Sequence, residues 1–240
     1  MNNPHPLQST ARRAGLIYLL LCFIGPINAI YIPDTYFVMG DPAATAQRIL
    51  ASELVYRLGA LAGFASNIVF LVVVLMLYQL LKDVHRGHAR LMVALVGVSV
   101  ALEISSLAHQ LAPLIFLKPR EYLAVFTAEQ LQALALCFIR LSRFGVYLAM
   151  VFWGLWLLPF GSLVIRSGFF PKWLGWLLIV GGVTYATLGL TFLTFPAYGP
   201  MISNVAMPFY AAGELLMIFW LIFLKLRPAT APQPASIPAT

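Results

Sequence analysis

The stretch from Phe152 to Gly182 reads FWGLWLLPFGSLVIRSGFFPKWLGWLLIVGG. It holds two apolar runs joined by a short turn that carries Arg166, Gly168, Pro171 and Lys172. A bilayer is itself an apolar phase, and its hydrocarbon is about 30 Å thick, so a crossing helix needs about 20 apolar residues. Lipid leaves no partner for free amides or carbonyls, so only helices and closed barrels cross it. Barrel strands would alternate over about 10 residues, and these runs do not alternate. The stretch therefore reads as the end of one membrane helix, a turn and the start of the next.

The same reading extends in both directions. The chain has 240 residues, 61% of them hydrophobic and 10% charged, against about 25% charged in ordinary soluble domains. Apolar runs at about 14–33, 58–81, 91–117, 144–165, 173–195 and 206–224 predict six spans in an all-α, polytopic membrane bundle occupying 11–227. The first run continues past Ile27-Asn28-Ala29 to Ile32, which favours a span over a cleaved signal peptide. Residues 1–10 and the Pro/Ala-rich residues 228–240 are expected to be disordered tails. Asp41-Pro42 is a helix start, with Asp as the cap and Pro in the first turn. Thr127-Ala-Glu-Gln130 is a capping box. Both openings lead into spans, which predicts continuous helices from about 42 to 82 and from 128 to 166, longer than the bilayer at 1.5 Å per residue. Pro26 and Pro159 are expected to kink their helices.

Net charge is +7. With the N-terminus inside, the cytoplasmic segments hold nine basic residues: Arg12, Arg13, Lys82, Arg86, Arg90, Arg166, Lys172, Lys225 and Arg227. The outer segments hold six (Arg48, Arg57, Lys118, Arg120, Arg140 and Arg143), nearly cancelled by five acids. The positive-inside rule therefore predicts both termini inside. Trp173, Trp176 and Trp220 fall where an inner aromatic belt would lie.

Ionisable groups within a span are costly and mark function by default. Glu103 lies near the middle of span three. At 100° per residue Ser99, Glu103, Ser106 and Gln110 share an arc of about 60°, one polar stripe expected to face the bundle interior. Glu214 lies in span six, one turn after Tyr210. Two such carboxyls suit a cation, a proton relay or a polar ligand; hydrogen bonding between helices is the structural alternative. Arg140, Arg143 and Tyr147 share a face of span four, and Arg57 enters span two from the same side. These arginines could hold an anion or a lipid headgroup, or simply extend to the interface. Glu53 and Arg57, four apart, are expected to pair. The threonines of span five and Gly59, Gly63 and Asn67 of span two read as packing positions.

Several chemistries are excluded. Only His109 of the four histidines lies in a span, which excludes a bis-histidine haem. There is no H-E-x-x-H, no G-x-S-x-G and no P-loop. Cys22 and Cys137 lack metal-ligand spacing and read as unpaired small residues. No cofactor, metal or nucleic acid is expected.

The segments Val38–Glu53 (VMGDPAATAQRILASE), Leu77–Arg90 (LYQLLKDVHRGHAR) and Phe152–Gly182, with its GLWLLPxG followed by RSGFxPxxLG, resemble the bacterial membrane family called domain of unknown function 4386. The resemblance covers about Ala11 to Arg227 and implies a multi-span protein of the bacterial cytoplasmic membrane. It implies no reaction, ligand or catalytic residue, although Glu103 and Glu214 resemble acidic positions of that family.

Three functional classes remain from the sequence. The first is a non-enzymatic protein that binds a small or lipidic ligand, or a membrane partner, within its bundle. The second is a proton-coupled secondary transporter using Glu103 and Glu214, for which six spans would call for a homo-oligomer. The third is an intramembrane enzyme, ranked last because no nucleophile and base stand together.

Overall fold

The computed structural model describes residues 6–118 and 120–223. The predicted tail at 228–240, Lys225, Arg227 and residues 1–5 lie outside the described residues. Six helices are long and apolar enough to cross a membrane, and among the described residues there is no strand. The all-α, six-span architecture is as predicted.

Span one is helix α1 (Pro6–Pro26), a π-turn (Ile27–Tyr31) and α2 (Ile32–Tyr36). It begins earlier than expected, since Pro6–Thr10 are helical. The two prolines explain the π-turn. Pro26 and Pro33 lack backbone N–H groups, and the amide of Ile32 reaches back five residues to Ile27 instead of four.

A short helix α3 (Pro42–Ala51) precedes span two, α4 (Glu53–Leu81). Asp41 caps α3, accepting the Ala44 amide at 2.9 Å. The continuous helix expected from 42 to 82 is broken at Ser52, whose φ/ψ of −145°/53° is not helical. The Tyr36 hydroxyl lies 2.9 Å from Ser52 Oγ and holds this corner against α2. Span three is α5 (Arg86–Leu111), followed by a single turn, α6 (Pro113–Phe116).

Span four is α7 (Ala128–Leu155) and α8 (Leu157–Ser167). The Thr127–Gln130 capping box forms with both of its bonds, at 3.3 and 2.9 Å. The predicted continuous helix is borne out over 128–167: Trp156, between α7 and α8, keeps helical dihedrals of −68°/−26°, and its amide bonds the Phe152 carbonyl at 3.0 Å, while Pro159 leaves one carbonyl of this turn without its i+4 donor. Spans five and six are α9 (Lys172–Thr194) and α10 (Gly199–Phe223).

The spans form a closed ring in chain order. α1 packs on α4, α4 on α5, α5 on α7, α7 and α8 on α9, α9 on α10, and α10 returns to α1. Past Trp156, α8 also leans inward onto α5 and α4. Its Trp156, 1% exposed, meets Phe70 edge-on at 5.4 Å and stacks on Phe160 at 5.1 Å. These rings join Leu77, Leu81, Met92, Leu163, Leu174 and Leu221 in one core that plugs the end carrying the basic loops. A second, smaller core of Ile32, Tyr36, Ile49, Tyr56, Leu114 and Ile139 closes the far end.

Candidate functional site

Between the two cores lies a polar layer, about 20 Å from the basic end as counted along the helices. The predicted stripe on α5 faces inward: Ser99, Glu103, Ser106 and Gln110 are all buried. Its members behave differently. Ser99 donates to the Val96 carbonyl at 2.8 Å and Ser106 to the Leu102 carbonyl at 2.8 Å, so both hydroxyls are satisfied within their own helix. Ser106 also packs where an added Cβ on Gly145 of α7 would fall 2.0 Å from its Oγ, so it marks a close helix crossing. The Gln110 side chain donates to Asn28 Oδ1 at 2.8 Å, and its backbone carbonyl accepts the Tyr56 hydroxyl. It ties the π-turn of span one to α4 and α5.

Glu103 is the exception. It is 7% exposed, and its Oε1 is buried with no hydrogen-bond partner. Asn67 of α4 lies within hydrogen-bonding reach of the carboxyl, and its amide also donates to the Gly63 carbonyl at 3.0 Å, which leaves Oε1 unmet. Across the ring, Glu214 of α10 accepts the Tyr18 hydroxyl of α1 on Oε2 at 2.5 Å. Tyr185 of α9 lies within electrostatic reach of both carboxyls and of Tyr210. Its ring stacks on Tyr210 at 4.1 Å and 9°, and Trp153 of α7 lies 5.8 Å away. Every span thus contributes to one layer: Tyr18, Asn67, Glu103, Trp153, Tyr185, Tyr210 and Glu214.

Glu103, Glu214 and Tyr210 follow from the sequence, whereas Tyr18, Trp153, Tyr185 and the approach of Asn67 to a carboxyl emerge only in the structure. A signal existed. Tyr18 continues the face of Ala11 and Ala14, and Tyr185 follows Gly181 and Gly182 by one turn, so both lie on the inward sides of their helices. Glu214 and Tyr185 also keep part of their surface accessible even though they face the ring interior.

The outer arginines do not gather. Arg57 pairs with Glu53 at 2.7 Å as expected, and Lys118 joins the same carboxylate at 2.9 Å. Arg143 donates to the Tyr147 hydroxyl at 3.0 Å, and Arg140 is exposed. Arg57 lies on α4 and the other two on α7, which are separated by α5 in the ring. The threonines of span five bond their own backbone, Thr184 to Gly181 and Thr191 to Thr187, and not across helices. Two open surface hollows also lie away from the polar layer. One of about 400 Å³ is on the outward face of span one, by Phe23 and Ile27, and one of about 530 Å³ is beside Lys118 and Arg120.

Among the described residues no group of three or more His, Cys, Asp or Glu is placed to hold a metal ion. No curated protein and no solved structure matches the chain. Residues 13–224 match the family described as a domain of unknown function (DUF4386), and on a match of that extent the chain, with its six apolar helices, belongs to that family of membrane proteins.

Proposed function

We propose that this is a bacterial inner-membrane protein with both termini in the cytoplasm, whose helix ring binds a small or lipidic ligand at the Glu103–Glu214 layer. The orientation rests on the nine basic residues of one side against six on the other. The observation that carries the binding reading is the unpartnered Oε1 of Glu103. A buried polar atom left without a partner costs about 1–3 kcal/mol, and buried polar atoms are nearly always satisfied in folded proteins. A carboxyl that only tied helices together would be bonded, as Gln110 is to Asn28. Glu103 has its partner supplied from outside the chain.

The test is saturable thermal stabilisation of the protein in nanodiscs by a panel of lipids and polar metabolites, with native mass spectrometry to detect a bound species. At least one compound is expected to bind, and Glu103→Gln is expected to weaken it. If the whole panel fails to bind or stabilise, the reading fails.

One observation favours the transporter as second reading. Spans one and six are closed against each other toward the basic end and part toward the other, which is one of the two states an alternating carrier needs. A carrier predicts pH-dependent flux in liposomes that Glu103→Gln abolishes, and flux unchanged by that substitution removes the reading.

A further inference from the structure

Span one crosses the ring at a slant. Near the basic end it is clamped to span six: a Cβ added to Gly15 would lie 2.7 Å from Ile222 Cγ1 and 2.9 Å from Leu221 Cβ. One turn on, Tyr18 bonds Glu214. Toward the far end span one leans the other way, onto α4, where Asn28 rests on Gly63 and Ile32 on Gly59. Gly25 lies between these contacts, on the same face as Tyr18, and a Cβ there would meet nothing within 4 Å. The π-turn beyond it buries no residue, and Met207, two turns before Glu214 on the same face of α10, is exposed. Spans one and six therefore enclose a wedge about 10 Å deep from Tyr18 to Gly25 at 1.5 Å per residue. It opens sideways toward lipid, and Glu214 stands at its apex.

Resting on the ligand-binding reading above, the geometry points to an amphipathic organic cation, an alkylammonium, that enters from the membrane through this wedge and places its cationic head between Glu103 and Glu214. The apex supplies what such a head needs. There are two carboxyls, and among the described residues neither has a Lys, Arg or His ion-pair partner. One of them has a buried oxygen without a partner. Tyr185, within electrostatic reach of both carboxyls, is stacked on Tyr210 with Trp153 at 5.8 Å, and the free face of such an aromatic group attracts ammonium in a dry site. The wedge itself is apolar and lipid-facing, which suits an alkyl tail and not a fully hydrated ion. An anionic lipid would meet two carboxyls and no compensating cation.

The experiment uses the full chain in phosphatidylcholine nanodiscs with three probes of equal chain length: dodecyltrimethylammonium, dodecanol and dodecanoate. Only the ammonium compound is expected to raise the melting temperature saturably. Glu103→Gln and Glu214→Gln should each raise its half-saturating concentration about tenfold. Gly25→Leu, which fills the wedge, should weaken it without lowering the ligand-free melting temperature. An equal shift with dodecanol or dodecanoate overturns the cation, as does an ammonium shift that survives in the double Glu→Gln variant, and both leave a ligand site standing. Absence of a shift with all three also overturns the cation, whereas the broader reading falls only with the full ligand panel. Unchanged ammonium binding in Gly25→Leu overturns the wedge as the route.

Discussion

The two halves of the gap between spans one and six are built from similar residues and do opposite things. At the basic end small residues bring the helices together: Ala11 and Ala14 are fully buried, and Gly15 sits directly against Leu221 and Ile222. Ten residues on, Gly25 is as small as Gly15 and touches nothing. Small residues permit close approach in a membrane without enforcing it; what decides is where the neighbouring helix goes. The π-turn swings span one toward α4 and away from α10, so the second glycine faces space. A stripe of small residues thus reads equally as a seam or as the wall of an opening.

The largest expected effect lies in the closed half. Trp156 is 1% exposed and stacks on Phe160 over Phe70. Trp156→Ala should cost about 3–5 kcal/mol, the usual price of a large cavity in a core. Trp153→Ala, one turn away in the polar layer and only half-buried, should cost clearly less. Chemical unfolding in mixed micelles would compare the two. Equal losses would mean that the polar layer is packed as tightly as the plug, and the contrast would collapse.

The next effect tests the glycines themselves. Gly15→Leu should destabilise by about 1–3 kcal/mol, because the added side chain meets Leu221, Ile222 and the Ile222 backbone amide. Gly25→Leu should not lower the melting temperature, and the helix propensity gained can raise stability by about 1 kcal/mol at most. A large loss at Gly25 would show that the wedge is closed in the working protein.

Much of this was legible beforehand, and the reasons are physical. Spans follow from apolar length and caps from local hydrogen bonding, so Asp41, Thr127 and Gln130 behave as read. The α5 stripe follows from the helical period, and all four of its residues are buried. What a period cannot give is the partner across the ring. Ser99 and Ser106 look equivalent to Glu103 on a helical wheel, yet their short hydroxyls reach their own backbone while the longer glutamate reaches past it. Tyr18 and Tyr185 read as ordinary apolar aromatics until Glu214 comes into range. The break at Ser52 was hidden for the same reason. Serine is neutral in a helix, and the contact that holds the corner comes from Tyr36, sixteen residues earlier.

A smaller effect separates support from function within the polar layer. Tyr18→Phe removes the donor that Glu214 accepts at 2.5 Å and should lower stability by about 1 kcal/mol, in the range measured for hydrogen bonds between membrane helices. Glu214→Gln should change stability less, since its amide oxygen still accepts from Tyr18. A Tyr18→Phe variant as stable as the parent would mean that this bond does not hold the apex of the wedge.

The smallest expected effect is the most diagnostic. Glu103→Gln replaces a buried carboxyl whose Oε1 has no partner with a group of the same shape and no charge. Little stabilising is lost, because Oε1 has no partner and glutamine keeps a carbonyl oxygen for Asn67, and the cost of burying an ionisable group is relieved. The ligand-free variant should therefore melt at the same temperature or slightly above the parent, by about 0–1 kcal/mol, as happens when a residue kept for function is replaced. Its ligand-dependent stabilisation should fall at the same time. A structural glutamate would give the opposite pair of results: a clear loss of stability, with binding unchanged in whatever protein remains folded. Measuring both quantities on one variant decides whether the unpartnered oxygen in the middle of the ring is held ready for a ligand or is part of the scaffold.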